Sequence, residues 1–321
     1  MINFLKKKFL LLISNKITSL FYGYFRPIIV FKILKKFKKF YFFKILIELY
    51  DPNNIRKIIK IKFKQKIYKI EDKGLIIYVN LNDHIGFRYF INNYWDNTAI
   101  TVGKILSFKK DDIFLDIGAN IGIISLPFAK EFNSQVISIE ASTFNSKLLL
   151  KNISSNNLKI YPVIKCLTFD NRTTHSKIWL NDGNYGTNSV YEDWNPSQQV
   201  AEYELVENIT LNEVLKSYEL EKIRLIKIDI EGYEYEALKG YNNLNKISCP
   251  IIFEYNVKYL KKIYTSSFDN IINLLQQFFN LYSISFNSNK NLKLKKINKN
   301  ESSEIIGIPK NLSSNLNKYI Y

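Results

Sequence analysis

Asp116-Ile117-Gly118-Ala119-Asn120-Ile121-Gly122 is the stretch that most constrains this chain. The apolar run Ile113 to Leu115 leads into it with the character of a β-strand, and the apolar residues after it read as a helix. Strand, glycine-bearing loop and helix in that order make a nucleotide-cradling turn. Gly118 and Gly122 let the backbone approach a ligand where a Cβ would collide, and the helix N-terminus offers unpaired N–H groups. Pro127 would cost a helix running uninterrupted from Ile121 about 3 kcal/mol. The helix is therefore expected to start late, with Ser125 as N-cap and Pro127 in its first turn. An adenosyl group is the ligand such a turn suits.

From residue 111 onward, strand-like runs alternate with helix-length segments, the pattern of a doubly wound α/β sheet. The expected strands are Ile113–Asp116, Val136–Glu140, Tyr161–Lys165, Leu225–Ile230, Ile251–Tyr255 and Leu281–Phe286. The expected helices are Ser142–Asn152, Tyr233–Leu238 and Phe268–Phe279. In such a sheet ligands bind at the carboxyl ends of the strands, where the motif loop lies. Ahead of it, alternation in Ile59–Ile70 and Gly74–Asn80 predicts a hairpin. Residues 83–103 read as a helical lead-in whose aromatics, including Phe87, Tyr89, Phe90, Tyr94 and Trp95, pack on the core. Residues 170–209 interrupt the rhythm with a polar, aromatic insertion, a length that usually carries function. The Asn-, Ser- and Lys-rich tail, residues 297–321, is expected to be loosely held.

Charge divides the chain sharply. The net charge is +17, yet residues 1–70 hold 18 Lys or Arg against two acids, leaving 28 against 27 in the rest. The basic arm, helical and amphipathic over residues 1–50, suits an anionic membrane face. Nucleic acid is the other partner such an arm could take, and the bland reading is a solvated basic face in a chain rich throughout in Lys, Asn, Ile, Phe and Tyr. The apolar run Phe9–Ile13 is broken well before the roughly 20 residues a membrane span needs, and it is short for an export signal. A cytoplasmic location, peripheral on the inner face of the membrane, is the expectation. Cys166 and Cys249 have no paired spacing, and His84 and His175 no metal-ligand partner, so no zinc or redox centre is expected.

A dinucleotide fingerprint needs G-x-G-x-x-G, but Asn120 and Ile123 occupy the second and third glycine positions. Glu140 stands 22 residues beyond Gly118, where an acid hydrogen-bonds ribose hydroxyls. With no pyrophosphate to cradle, S-adenosylmethionine is the expected cofactor, and Asp116 faces its cationic methionine end directly or through water. The bland alternatives are a turn-capping Asp116 and a surface Glu140. A second dense stretch, Lys227-Ile228-Asp229-Ile230-Glu231-Gly232-Tyr233-Glu234, puts Lys227, Asp229 and Glu231 on one side by strand alternation. Charges converging at a strand end are costly to bury without purpose. Methyl transfer to a hydroxyl needs its proton removed, and Asp229 is the expected base, with Lys227 as electrostatic partner. A carboxylate pair holding Mg²⁺, or a purely structural turn, are the alternatives.

The motifs D-I-G-A-N-I-G, V-I-S-I-E (136–140), T-L-N-E-V-L (210–215), K-I-D-I-E-G-Y-E (227–234) and I-I-F-E-Y-N (251–256) together resemble the FkbM family of S-adenosylmethionine-dependent methyltransferases. The resemblance covers residues 111 to about 260. It implies a seven-stranded Rossmann-like methyltransferase sheet with the last strand antiparallel, and O-methylation of hydroxyls, commonly on sugars. By position it assigns Asp116, Gly118, Asn120, Gly122 and Glu140 to the cofactor, and Asp229, Glu231 and Glu254 to the reacting end. Leu167 and Thr168 stand where many methyltransferases place an acid near the adenine. The arm has no counterpart among these motifs.

The sequence thus reads as a basic N-terminal extension (1–70), a methyltransferase domain (71–296) with residues 170–209 as a substrate lid, and a polar tail (297–321). Its expected activity is O-methylation of a sugar or glycan, on a surface polysaccharide or lipid-linked saccharide, with no metal. The alternative is an RNA or other nucleic-acid methyltransferase or binding protein that uses the arm.

Overall fold

The computed structural model describes residues 67–92, 96–181, 183–192, 202–264, 269–288, 291–311 and 315–321. The arm through residue 66, with Tyr94, Trp95 and Trp194, lies outside the described residues.

In chain order the strands are β1 (Ile67–Asp72), β2 (Leu75–Asn80), β3 (Ile113–Ile117), β4 (Gln135–Ile139), β5 (Ile160–Val163), β6 (Cys166–Thr168), β7 (His175–Trp179), β8 (Tyr203–Thr210), β9 (Ile223–Ile228), β10 (Ile251–Tyr255), β11 (Phe279–Phe286), β12 (Leu292–Lys296) and β13 (Ser303–Pro309). The helices are α1 (His84–Asn92), α2 (Thr98–Ile105), α3 (Ser125–Phe132), α4 (Thr143–Ser154), α5 (Leu211–Leu215), α6 (Glu234–Lys239), α7 (Val257–Tyr264) and α8 (Asn270–Leu275).

Eight strands form the central sheet in the order β12-β11-β13-β10-β9-β3-β4-β5. Strands β10, β9, β3, β4 and β5 run parallel, as the alternation of strands and helices predicts. Their runs are buried on both faces, with Phe114, Leu115, Ile137, Ile226, Ile251, Ile252 and Phe253 each 0–1% exposed, the burial that helix layers on both sides of a parallel sheet impose. Strand order reverses between β3 and β9, so the loops after these two strands open side by side at the carboxyl edge.

The other edge departs from expectation. Among the described residues the sheet has eight strands rather than seven, because β12 adds one more at the edge, antiparallel to β11. Residues 303–309, assigned above to a loose tail, form β13, inserted antiparallel between β10 and β11. Ile305, Ile306 and Ile308 there are 0–2% exposed. A strand paired on both edges and buried on both faces belongs to the domain, so the boundary at 296 is corrected. The polar residues that surround it in sequence are the turns that let it enter the sheet.

Helix α3 begins at Ser125 and places Pro127 in its first turn, where no intrahelical donor is lost. The N-cap is Ile124, and the Ser125 hydroxyl goes elsewhere, to Asp116. Phe128 fills the space beneath β3, with ring centroids 4.2 Å from Phe114, 4.9 Å from Phe108 and 4.7 Å from Phe132. Pairs of this kind contribute about 0.5–1.5 kcal/mol each beyond area burial. Phe87, Tyr89 and Phe90 are 2–3% exposed, the packing role expected of them.

The β1–β2 hairpin begins at Ile67, so the last residues assigned to the arm belong to the domain. It is tied to the motif loop by Asn152, which is fully buried on α4. Its Oδ1 accepts from the Tyr78 amide at 2.6 Å, and its Nδ2 donates to the Tyr78 carbonyl at 3.1 Å and the Ile121 carbonyl at 2.8 Å. One side chain here does the work of a strand partner.

Within the insertion's described residues, β7 and β8 pair antiparallel and join β6 in a three-stranded sheet of their own. Thr210 ends β8 and starts α5 with a capping box closed by Glu213. Among the described residues no helix is long and apolar enough to cross a membrane.

Candidate active site

The loops after β3 and β9 touch. Gly118 has φ +84°, and a Cβ there would sit 1.8 Å from the Asp229 carbonyl oxygen, so only glycine lets the two segments cross. The Asp229 amide donates to the Ile117 carbonyl at 2.9 Å, and the Gly118 and Ala119 amides both donate to the Ile139 carbonyl at 2.9 Å. Both expected motifs therefore meet at one place, a cleft of about 580 Å³ counted with its open mouth. Gly118, Asn120, Glu140, Asp229 and Glu231 all line it.

On the β4 side, Glu140 is 7% exposed and its carboxylate is held in a fixed orientation. It accepts from the Asn120 amide at 2.8 Å, the Ser142 amide at 2.9 Å and the Asn145 side chain at 3.4 Å. Burial pushes its pKa up to about 7 against the pull of these hydrogen bonds. Asn120 holds the left-handed conformation, φ +53°, that turns its amide toward Glu140. The floor is Cys166 and Leu167, an apolar surface where no acid stands.

Two of the residues assigned to the cofactor stand elsewhere, and of those assigned to the reacting end Lys227 and Glu254 do not line the cleft. Gly122, φ +85°, does not line the cleft: a Cβ there would lie 2.4 Å from Leu126 Cδ1 and 2.9 Å from Leu149 Cδ1, so it lets α3 and α4 pack rather than a ligand approach. Asp116 is fully buried beneath the loop, not facing the cleft. Its Oδ2 accepts from Ser125 Oγ at 2.5 Å, and Ser125 Oγ is 2.7 Å from Ser138 Oγ. Its Oδ1 has no hydrogen-bond partner among the described residues. Burial raises its pKa to about 6, with Lys227 and Ser125 pulling the other way.

On the β9 side, the strand ends at Ile228, so strand alternation does not place Asp229 and Glu231, as the sequence reading has it. They belong to a tight turn with Glu231 at φ +55° and Gly232 at φ +94°. A non-glycine residue in that region costs about 1–2 kcal/mol. Glu234, 3% exposed, clamps the turn by accepting from the Ile230 amide at 2.9 Å and the Gly232 amide at 3.2 Å. The last acid of the motif is thus structural, and burial raises its pKa to about 7.

Beneath the turn, Lys227 has only 4% of its side chain exposed and bonds Asp229 Oδ2 at 2.8 Å, while Asp229 keeps 35% of its side chain open to solvent. Burial pulls the Lys227 pKa down, but Asp229, Asp116 and Glu304 outweigh it and hold the ammonium charged, above the ordinary lysine value. Glu304 had no signal in the sequence; it reaches this network because β13 pairs it with Glu254 across the strands. Burial raises Glu254 to about 8, with Asp229 and Glu234 adding to it, and raises Glu304 to about 7. Oxygens of Asp229, Glu231 and Glu254 lie within 4.8 Å of one another, a spacing a hard divalent cation could bridge.

The cleft's outer wall is the insertion. Tyr185, Gly186, Asn188 and Ser189 line it, with the Tyr185 ring stacked on Phe144 at 3.8 Å between centroids. The sequence marked this polar stretch as functional, but not which residues face the ligand. Asn145 and Tyr233 also line the cleft and were likewise missed.

A parallel sheet with a glycine turn after β3, a buried acid after β4 and a half-open carboxylate in the loop after β9 is the arrangement expected of an S-adenosylmethionine-dependent methyltransferase. The profile of the Methyltransferase FkbM domain matches residues 116–282, more than half of the chain. The chain belongs to the FkbM methyltransferase family.

A comparison with curated proteins finds no match. Among solved structures, the chain is similar to the METTL16 methyltransferase domain, at 13% identity and a TM-score of 0.42 over 81% of this chain and 80% of that one. A putative O-methyltransferase from Klebsiella pneumoniae is 11% identical, with a TM-score of 0.37 over 68% of this chain and 82% of its own. Precorrin-6y C5,15-methyltransferase from Geobacter metallireducens GS-15 is 12% identical, with a TM-score of 0.35 over 65% and 86%.

The cofactor is S-adenosylmethionine, and the cleft brings together Gly118, Asn120 and the buried Glu140 carboxylate, three of the residues expected to hold it. Ribose hydroxyls donating to Glu140 would favour its ionised form against the burial that pushes its pKa up to about 7. Affinity for S-adenosylhomocysteine should therefore rise as pH goes from about 5.5 to about 8 and level off above. Calorimetry across that range checks this, and Glu140→Gln should bind more weakly with a flat profile.

Proposed function

We propose that this methyltransferase acts on a hydroxyl of a sugar or glycan, with Asp229 as the base. The observation that carries the reading is the acceptor end of the cleft, where Asp229, Glu231 and Glu254 bring carboxylate oxygens within 4.8 Å of one another. An acidic mouth repels a phosphate backbone and suits a neutral polyhydroxyl acceptor, whose O–H groups donate to carboxylates. That arrangement also argues against the nucleic-acid alternative. The basic residues 1–50 add an affinity for anionic surfaces, where lipid-linked saccharides are assembled.

S-adenosylmethionine, when bound, supplies an electrophilic methyl group. Gly118, Asn120 and Glu140 would hold its adenosyl part; Asp229 takes the acceptor's proton; and Lys227, 2.8 Å away, fixes the orientation of that carboxylate. Residues 183–190 exclude water as a lid from the insertion. The same carboxylate spacing favours a second reading, in which a hard cation orients the acceptor hydroxyl.

Methyl transfer from labelled S-adenosylmethionine should be scored over free saccharides, nucleotide sugars, lipid-linked saccharides in anionic vesicles, and RNA. Transfer to a saccharide with none to RNA is the expected outcome; transfer to RNA alone overturns the reading. Loss of activity on chelation with recovery on adding Mg²⁺ selects the cation-assisted version.

A further inference from the structure

We propose that Ser189 is a positioning residue for the catalytic turn, and that residues 183–190 make the turn's geometry depend on the cofactor wall of the cleft. The proposal rests on the reading of Asp229 and Glu231 as the acceptor end.

Glu231 is held at φ +55°, a conformation that nothing in a glutamate favours. Glu234 fixes the amides on either side of it, and its own carbonyl accepts from Ser189 Oγ at 2.9 Å. Ser189 is 4% exposed and locked in place by its backbone, donating to the Trp179 carbonyl at 3.3 Å and accepting from the Trp179 amide at 2.8 Å. That pairing aims the hydroxyl from outside the turn.

The neighbouring residue reaches the opposite wall. Asn188 Nδ2 donates to Ser142 Oγ at 3.2 Å, and the Ser142 amide donates to Glu140 Oε1 at 2.9 Å. Three residues earlier, the Tyr185 carbonyl accepts from Asn145 Nδ2 at 3.0 Å, and the Tyr185 amide donates to Asp83 Oδ1 at 2.8 Å. Hydrogen bonds thus run from Glu140 through Ser142 to Asn188, and, across the Asn188–Ser189 peptide bond, from Ser189 to Glu231. The carboxylate that meets the ribose and the turn that meets the acceptor share one support, so a ligand that fixes the first steadies the second.

Hydrogen exchange of the full chain, followed by mass spectrometry with and without S-adenosylhomocysteine, tests this. In the wild type the ligand should slow exchange both at residues 116–122 and at 229–234. Ser189→Ala removes the hydroxyl's bond to the Glu231 carbonyl and the one it accepts from the Tyr191 amide at 3.1 Å, and should raise ligand-free exchange at 229–234 about tenfold and abolish the ligand's effect there. Protection at 116–122 should remain. Ser189→Thr keeps the hydroxyl and should restore both behaviours. Asn188→Ala, which leaves Ser189 intact, should keep ligand-free exchange at 229–234 near wild type yet remove the ligand's effect on it. Unchanged exchange at 229–234 in Ser189→Ala overturns the proposal, as does a Thr variant that behaves like Ala. If the wild type fails to bind S-adenosylhomocysteine, the cofactor assignment fails instead, and the ligand-free comparison still decides the role of Ser189.

Discussion

Replacing Asp229 by Asn should reduce methyl transfer about 10²- to 10⁴-fold, the range a positioned general base contributes. The amide is isosteric and can still accept from Lys227 Nζ, which is 2.8 Å from Oδ2, so the turn and the Gly118 crossing stay in place. The Asp229 contact to the Gly118 loop is made by backbone atoms, which the substitution does not touch. Affinity for S-adenosylhomocysteine should thus stay within a few-fold of wild type while turnover disappears. A parallel loss of ligand affinity would assign Asp229 to cofactor binding, and normal turnover would move the base to Glu231 or Glu254.

Lys227→Met should be the most destabilising single change in the site, by about 3–5 kcal/mol, the usual cost of removing one partner of a buried ion pair. The ammonium is surrounded by Asp229, Asp116 and Glu304, and methionine fills its space without its charge. Protonation of the acids left behind limits the damage, which gives the loss a pH dependence. Glu304 and Glu254 already sit at about 7 and about 8, above the ordinary 4.5. An acid whose folded pKa is raised binds more protons folded than unfolded, so stability falls as pH rises from the unfolded toward the folded value. Without Lys227 those values climb further. The variant should therefore lose more stability at about pH 8 than at about pH 5, as read from urea unfolding at both. An equal loss at both would mean that packing, not charge, is what Lys227 supplies.

The parallel half of the fold was legible because its signals are local. Strands β3, β4, β9 and β10 are apolar runs of five or six residues bounded by turns, and their expected positions agree with the observed ones to within two residues. Glu140 was legible for the same reason, since its distance from the glycine loop is one strand–helix–strand unit. Asp229 was found for a partly wrong reason: strand alternation stops at Ile228, and a left-handed turn clamped by Glu234 aims the carboxylate instead.

What the sequence by itself determined is the class of turn, the parallel sheet and the identity of the acids at its carboxyl edge. These follow from residue type and short spacing, which a chain expresses wherever it goes. The tertiary structure alone decided that Asp116 is a buried anchor, that Gly122 seats one helix on another, that a strand from the polar tail pairs Glu304 with Glu254, and that the Ser189 hydroxyl bonds the Glu231 carbonyl. Each of these depends on which distant segment becomes a neighbour. Strand order and loop closure set that choice through packing summed over the whole sheet, and no local period records it.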